Sequence, residues 1–154
     1  MKNIVIKKSK KEGKGVFVLR DFKRGDTILK IYDTKIVSKK DVPNLPKEDQ
    51  NHTSYIGGGK YIVMKSPEKY INHSCNPNVY IKNMKVIAMK NIKKREEITF
   101  DYSINGIDSW KMKCNCGSKD CRKIIVGDFR KLNKKTQKKY LPYLEDWFKK
   151  EIKI

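Results

Sequence analysis

The chain has 154 residues, 38% of them hydrophobic, with 37 Lys and Arg against 17 Asp and Glu and a formal net charge of +20. That length suits one compact domain able to bury a core unaided, so any metal or disulfide would be a local device. No run is apolar enough to span a bilayer and the lysine-rich N-terminus has no apolar stretch of signal-peptide length; this argues against a membrane role and predicts a cytoplasmic protein, nuclear in a eukaryote.

In chain order, Gly13-Lys14-Gly15 places two glycines where backbone can approach a ligand closely, although a lone G-x-G is more often a turn. It is not a phosphate loop, because neither the full glycine spacing nor the Lys-Ser/Thr pair follows. GVFVLRDF and TILKIY are β-rich runs joined by the turn sequence KRGD. Residues 35–51 contain two prolines and read as a loop or short helix, not a strand. TSYI and KYIVM flank GGG and predict a hairpin; VYI and KVIAMK flank a second short turn. EEITFDY is a further strand ending in Asp101 and Tyr102, with Glu96 and Glu97 read as a capping or surface pair. Such short, closely spaced strands predict a folded-over β assembly. Near the end, Tyr140, Leu141, Leu144, Trp147 and Phe148 fall at helical spacing, with Pro142 opening a second helix.

YINHSCNPN, residues 70–78, crowds Asn72, His73, Cys75, Asn76 and Asn78 into one turn. Three further cysteines, Cys114, Cys116 and Cys121, form the array CNCGSKDC. Disulfides are disfavoured in a cytosolic chain, and residues as close as Cys114 and Cys116 pair poorly. Buried free thiols sit badly with so polar an array. Three thiolates plus Cys75 suit a closed tetrahedral zinc site, which would staple the C-terminal array onto the NHSC loop and leave no open position for Lewis-acid work.

Taken in order, G-K-G, NHSCNPN, EEITFDY and CNCGSKDC resemble the SET-domain protein lysine methyltransferases with a post-SET zinc segment. The resemblance spans roughly residues 4–125. It implies a mainly β SET (β-clip) fold with a knot-like crossing, a post-SET zinc site and short C-terminal helices, divided as SET domain 1–108, post-SET segment 109–125 and helical extension 126–154. It implies S-adenosylmethionine as methyl donor, with Gly13, Lys14, Gly15, Asn72 and His73 contacting it. Tyr102 matches the catalytic tyrosine and also borders the donor. Tyr55 is expected to line donor and substrate lysine, and Phe100 to line the lysine channel, where phenylalanine leaves room for di- or trimethylation. Asp101 and Asn78 are expected to brace the crossing. With no cysteine-rich segment expected before Met1, substrate selection is expected to fall to the SET surface, residues 33–52 and the C-terminal helices.

The lysines are spread along the chain without one aromatic-interleaved stripe, which favours solubility over dedicated nucleic-acid recognition and leaves non-specific nucleic-acid binding as an alternative. The expected partner is a lysine-bearing protein or peptide. The competing function is a catalytically weak SET-fold protein acting as a basic binding module; the presence of Asn72, His73 and Tyr102 argues for the enzyme.

Overall fold

The computed structural model describes residues 3–32 and 34–154. In chain order its strands are β1 (Ile4–Lys8), β2 (Lys14–Val18), β3 (Thr27–Lys30), β4 (Lys35–Ser38), β5 (Thr53–Gly57), β6 (Lys60–Val63), β7 (Asn72–His73), β8 (Val79–Lys82), β9 (Lys85–Ala88), β10 (Glu97–Phe100), β11 (Ile107–Lys113) and β12 (Ile124–Asp128). The helices are α1 (Lys47–Gln50), α2 (Lys134–Tyr140) and α3 (Asp146–Glu151). The strands form four small sheets, ordered β1-β2-β10-β7, β3-β9-β8, β4-β6-β5 and β11-β12. All pairings are antiparallel except β10 with β7.

Alternation explains which faces meet. Val16 and Val18 of β2 and Ile98 of β10 are fully buried and pack with Ile71, Val79 and Val86 into the main core. Each such side chain contributes about 1.5–3 kcal/mol relative to exposure. Gly57, Gly58 and Gly59 all take positive φ, which is what lets the β5–β6 hairpin turn on three glycines.

Three expectations need correction. Residues 35–38 form β4, paired with β6 from Lys35↔Val63 to Ser38↔Lys60. The prolines that argued against a strand, Pro43 and Pro46, fall beyond it, in a 3-10 turn and at the start of α1, where no ladder N–H is required. Leu141 is 39% exposed and contributes little to the core. Pro142 lies in a single 3-10 turn, Leu141–Tyr143, and the next helix starts only at Asp146. Tyr140, Leu144 and Phe148 do bury completely, against Phe129, Ile104 and Met89. Asn133 caps α2 by accepting the Thr136 N–H at 2.8 Å. No helix among the described residues is long and apolar enough to cross a membrane.

Glu68 is 4% exposed and its Oε2 has no hydrogen-bond partner among the described residues. Burial pushes its pKa up. Above that raised value the folded chain holds a desolvated carboxylate that the unfolded chain hydrates freely; below the ordinary value both states are neutral and the cost vanishes. Glu68→Gln is therefore expected to raise the thermal midpoint at neutral pH by about 2–4 °C. The gain should disappear below about pH 4. Thermal denaturation across pH checks this, and a pH-independent difference would contradict it.

Candidate active site

Two distant segments, 72–78 and 97–102, cross here. The parallel register places Asn72 beside Thr99 and His73 beside Phe100. The Ser74 and Asn78 N–H groups donate to the carbonyls of Phe100 and Thr99, each at 3.1 Å. The Asn78 side chain imitates a strand edge: Oδ1 accepts from Thr99 N at 2.8 Å and Nδ2 donates to Glu97 O at 2.9 Å. Buried backbone groups that would otherwise be orphaned at the crossing are thus satisfied.

Asn72 ties this crossing to the glycine segment. Its Nδ2 donates to the carbonyls of Glu12 and Lys14, each at 3.0 Å, and to Glu97 Oε1 at 2.8 Å. The Glu97 carboxylate also accepts from Ser9 Oγ at 2.8 and 2.9 Å. Glu97 is therefore an internal brace, not a cap or surface residue. It also explains Gly15: a Cβ there would lie 2.3 Å from Glu97 Oε1. Gly13 adopts φ +41, a conformation that disfavours a side chain.

His73 and Tyr102 meet at the end of the crossing. The Tyr102 N–H donates to His73 Nδ1 at 3.2 Å, and His73 Nε2 lies 3.3 Å from Cys75 Sγ. Burial pulls the His73 pKa down to about 4 against the opposing pull of Asp101, so the ring is neutral near pH 7. With Nδ1 accepting, the ring proton sits on Nε2 and donates to sulfur. The Tyr102 hydroxyl donates to Ile71 O at 3.0 Å. Burial pushes its pKa up to about 12, which keeps the phenol protonated. Phe100 packs on the Tyr102 ring at 4.8 Å between centroids.

Asp101 is fully buried. Arg122 donates to both its oxygens, at 2.6 and 2.8 Å; Ser103 N donates at 3.0 Å and the Tyr140 hydroxyl at 2.9 Å. Burial would raise the Asp101 pKa, but the bonds and charge of Arg122 outweigh it and hold the carboxyl below its ordinary range.

The four cysteine Sγ atoms lie within 4.8 Å of one another, with Cys75 and Cys114 at 3.7 Å. A tetrahedral metal with sulfurs at about 2.3 Å has sulfur edges of about 3.8 Å. The Arg122 N–H donates to Cys75 Sγ at 3.3 Å and the Cys75 N–H reaches Cys116 Sγ at 3.5 Å, contacts that favour thiolates. The set can hold a metal ion. Cys75, Cys114 and Cys116 are buried, contrary to the expectation from so polar an array; Asn115 and Gly117 point outward while the sulfurs turn in.

Glu12, Asn72, His73, Tyr102, Met112 and Ile125 line one open cleft of about 70 Å³. Lys11 spans its edge and donates to Cys116 O at 2.8 Å. A larger groove of about 540 Å³, between Asn3, Leu29, Tyr32 and Pro67, contains none of the motif residues. Gly13, Lys14 and Gly15 adjoin the cleft through Asn72, and Phe100 adjoins it through Tyr102. Tyr55 is not brought there. It is buried with Val37, Leu45, Tyr61 and Val63, donates to Glu151 of α3 and faces Trp147 at 5.6 Å. The sequence reading missed Glu97, Arg122, Tyr140 and Lys11 as site residues; only Glu97, three residues before Phe100 in EEITFDY, offered a signal.

Comparison with known proteins matches residues 13–103 to the family described as SET domain. The chain is 30% identical over 141 residues to a histone-lysine N-methyltransferase, H3 lysine-36 specific, of Candida glabrata, covering 81% of this chain and 20% of that protein. It is 29% identical over 139 residues to human histone-lysine N-methyltransferase 2D, covering 79% of this chain and 2% of that protein. The chain therefore spans a fifth or less of the length of these two relatives. The methyltransferase domain of human histone-lysine N-methyltransferase SETMAR matches in fold with a TM-score of 0.61 at 19% identity, over 81% of this chain and 58% of that one.

The sulfur cluster carries a direct expectation. Elemental analysis of protein purified without chelators should find a metal ion bound in each chain, and Cys121→Ser should lower both its occupancy and the thermal midpoint. A metal-free protein of undiminished stability would contradict it.

Proposed function

The chain belongs to the SET-domain family, and on that premise we propose that it methylates lysine side chains of a protein substrate using S-adenosylmethionine. The observation that supports this most is the meeting of Asn72, His73 and a protonated Tyr102 in one cleft. The donor, when bound, supplies an electrophilic methyl group on a sulfonium sulfur. Asn72 fits the amino-acid end of such a donor: its Nδ2 is committed to Glu12, Lys14 and Glu97, while its Oδ1 accepts no hydrogen bond among the described residues. That oxygen is free to accept from an ammonium group.

The substrate lysine begins with a pKa of about 10.4 and must lose a proton before it can attack. Burial in a narrow aromatic channel favours the neutral amine. Tyr102 is no general base, because its phenol stays protonated and its proton is engaged by Ile71 O. Its oxygen lone pairs can instead accept an N–H of the amine and aim the nitrogen lone pair along the line of transfer. Phe100 offers no polar atom next to Tyr102, which leaves room for an amine already carrying methyl groups and supports di- or trimethylation. At about 70 Å³ the cleft is well below the roughly 300–1,000 Å³ of small-molecule sites.

Cys75, Cys114, Cys116 and Cys121 would hold zinc as a structural ion with a filled tetrahedral shell. In this reading residues 1–108 are the SET domain, 109–125 the post-SET segment and 126–154 the helical extension. A net charge of +20 repels a free basic tail, so the favoured substrate is an acidic or neutral protein, or a basic one held on nucleic acid. Exposed Lys131, Lys134, Lys135, Lys138 and Lys139 would supply such a nucleic-acid contact.

Tyr102→Phe tests the site. Methyl transfer should fall about 100-fold, the scale seen when one oriented polar group is removed from a catalytic site. Donor binding, measured calorimetrically, should be retained. Near-normal turnover would overturn the assignment.

A further inference from the structure

The buried Asp101 network includes the side chains of Arg122, Ser103 and Tyr140, none of which hydrogen-bonds a cysteine sulfur. Tyr140 is the most informative. Its ring is fully buried at the end of α2, and its hydroxyl reaches across 39 residues of sequence to donate to Asp101 Oδ2 at 2.9 Å. We propose that Tyr140 is a positioning residue for methyl transfer, acting through Asp101 to hold Tyr102 and His73 in working geometry. The proposal rests on the reading of Tyr102 as the catalytic tyrosine.

What matters is where the Asp101 carboxylate can go. Asp101 Oδ1 lies 3.7 Å from His73 Nδ1. Both atoms are acceptors here, since Nδ1 already takes the Tyr102 N–H and Oδ1 takes the Ser103 N–H. Two acceptors at that separation repel. The carboxylate stays back because donors draw it the other way: Arg122 Nη1 and the Tyr140 hydroxyl on Oδ2, Arg122 Nη2 on Oδ1. Without the Tyr140 donor, Oδ2 loses one of its two partners in a site with no solvent. Rotating toward a His73 ring that carries its proton on Nδ1 becomes the available remedy. That arrangement would release the Tyr102 N–H and strip Cys75 Sγ of the Nε2 donor. Tyr102 follows Asp101 directly in the chain, so its hydroxyl moves with the same loop. Misplacement of this order is costly for an in-line transfer.

Tyr140→Phe keeps the buried ring and removes only the hydroxyl. Leu144→Ala is the control, since Leu144 is equally buried in the same apolar cluster but carries no polar group that could bond Asp101. With the full chain assayed well below the unfolding temperature of both variants, Tyr140→Phe should lower kcat about tenfold with KM for peptide and donor unchanged. Leu144→Ala should keep kcat despite a lower thermal midpoint. In parallel, 15N NMR of the His73 ring and the Tyr102 amide should shift in Tyr140→Phe and not in Leu144→Ala. Wild-type kcat with unmoved resonances in Tyr140→Phe would overturn the proposal, as would an equal loss of kcat in the control. An inactive wild-type chain would instead count against the methyltransferase reading, and the resonances would still decide whether Tyr140 positions this loop.

Discussion

An ionised carboxylate with no solvent exposure is tolerable only when donors surround it, because desolvating such a group costs several kcal/mol. At Asp101 those donors come from separate parts of the chain: Ser103 in the same loop, Arg122 just past the last cysteine, and Tyr140 in the C-terminal helix. The loop, the cysteine array and α2 therefore cannot be placed independently. Arg122 tightens the joint further, since its backbone N–H donates to Cys75 Sγ while its guanidinium grips Asp101. The sulfur cluster and the buried ion pair are two ends of one connection, and removing either partner of such a pair costs about 3–5 kcal/mol.

The same joint decides where chemistry can occur. Parallel pairing of β7 with β10 brings His73 and Phe100 side by side, so Tyr102 emerges next to the imidazole and not across a sheet from it. Asn78 closes one side of the crossing and Asn72 the other, each spending its amide hydrogens on protein carbonyls or Glu97. Among the acceptors that remain free are the Asn72 carboxamide oxygen and the Tyr102 lone pairs, with the Glu12 carboxylate at the cleft wall. On the proposed reading, such acceptors suit a cationic methyl donor and an amine.

Motifs made of rare residue types in fixed order were legible from sequence. NHSC, FDY and the cysteine array each carry side chains with little purpose in an ordinary turn, and the structure brings them together. Strands were legible where apolar residues stood between turn residues, as in VYI and KVIAMK. β4 was not, because Pro43 and Pro46 lie close enough in sequence to mask a four-residue strand that ends before them. β11 and β12 were hidden for another reason: Trp110, Met112 and Ile124 stay exposed, so the hairpin lacks the one-sided burial that alternation reveals. Arg122 was one of 37 basic residues, and nothing local distinguishes a guanidinium bound for a buried partner. Tyr140 looked like a core residue of an amphipathic helix; its ring is one, and only the fold shows where its hydroxyl points. Tyr55 illustrates the converse, an aromatic near the right strands whose partner, Glu151, lies 96 residues away at the far end of the chain.

The crossing of these two segments is proposed to form a site for moving a methyl group onto a lysine. Its most direct measurement is mass spectrometry of proteins from the source organism after incubation of fractions with the chain and S-adenosylmethionine carrying a heavy methyl group. The heavy methyl is expected on lysine Nζ of a discrete protein, in di- or trimethylated form, only when the active chain is present. Heavy methyl on no lysine in any fraction, with donor demonstrably bound, would contradict it.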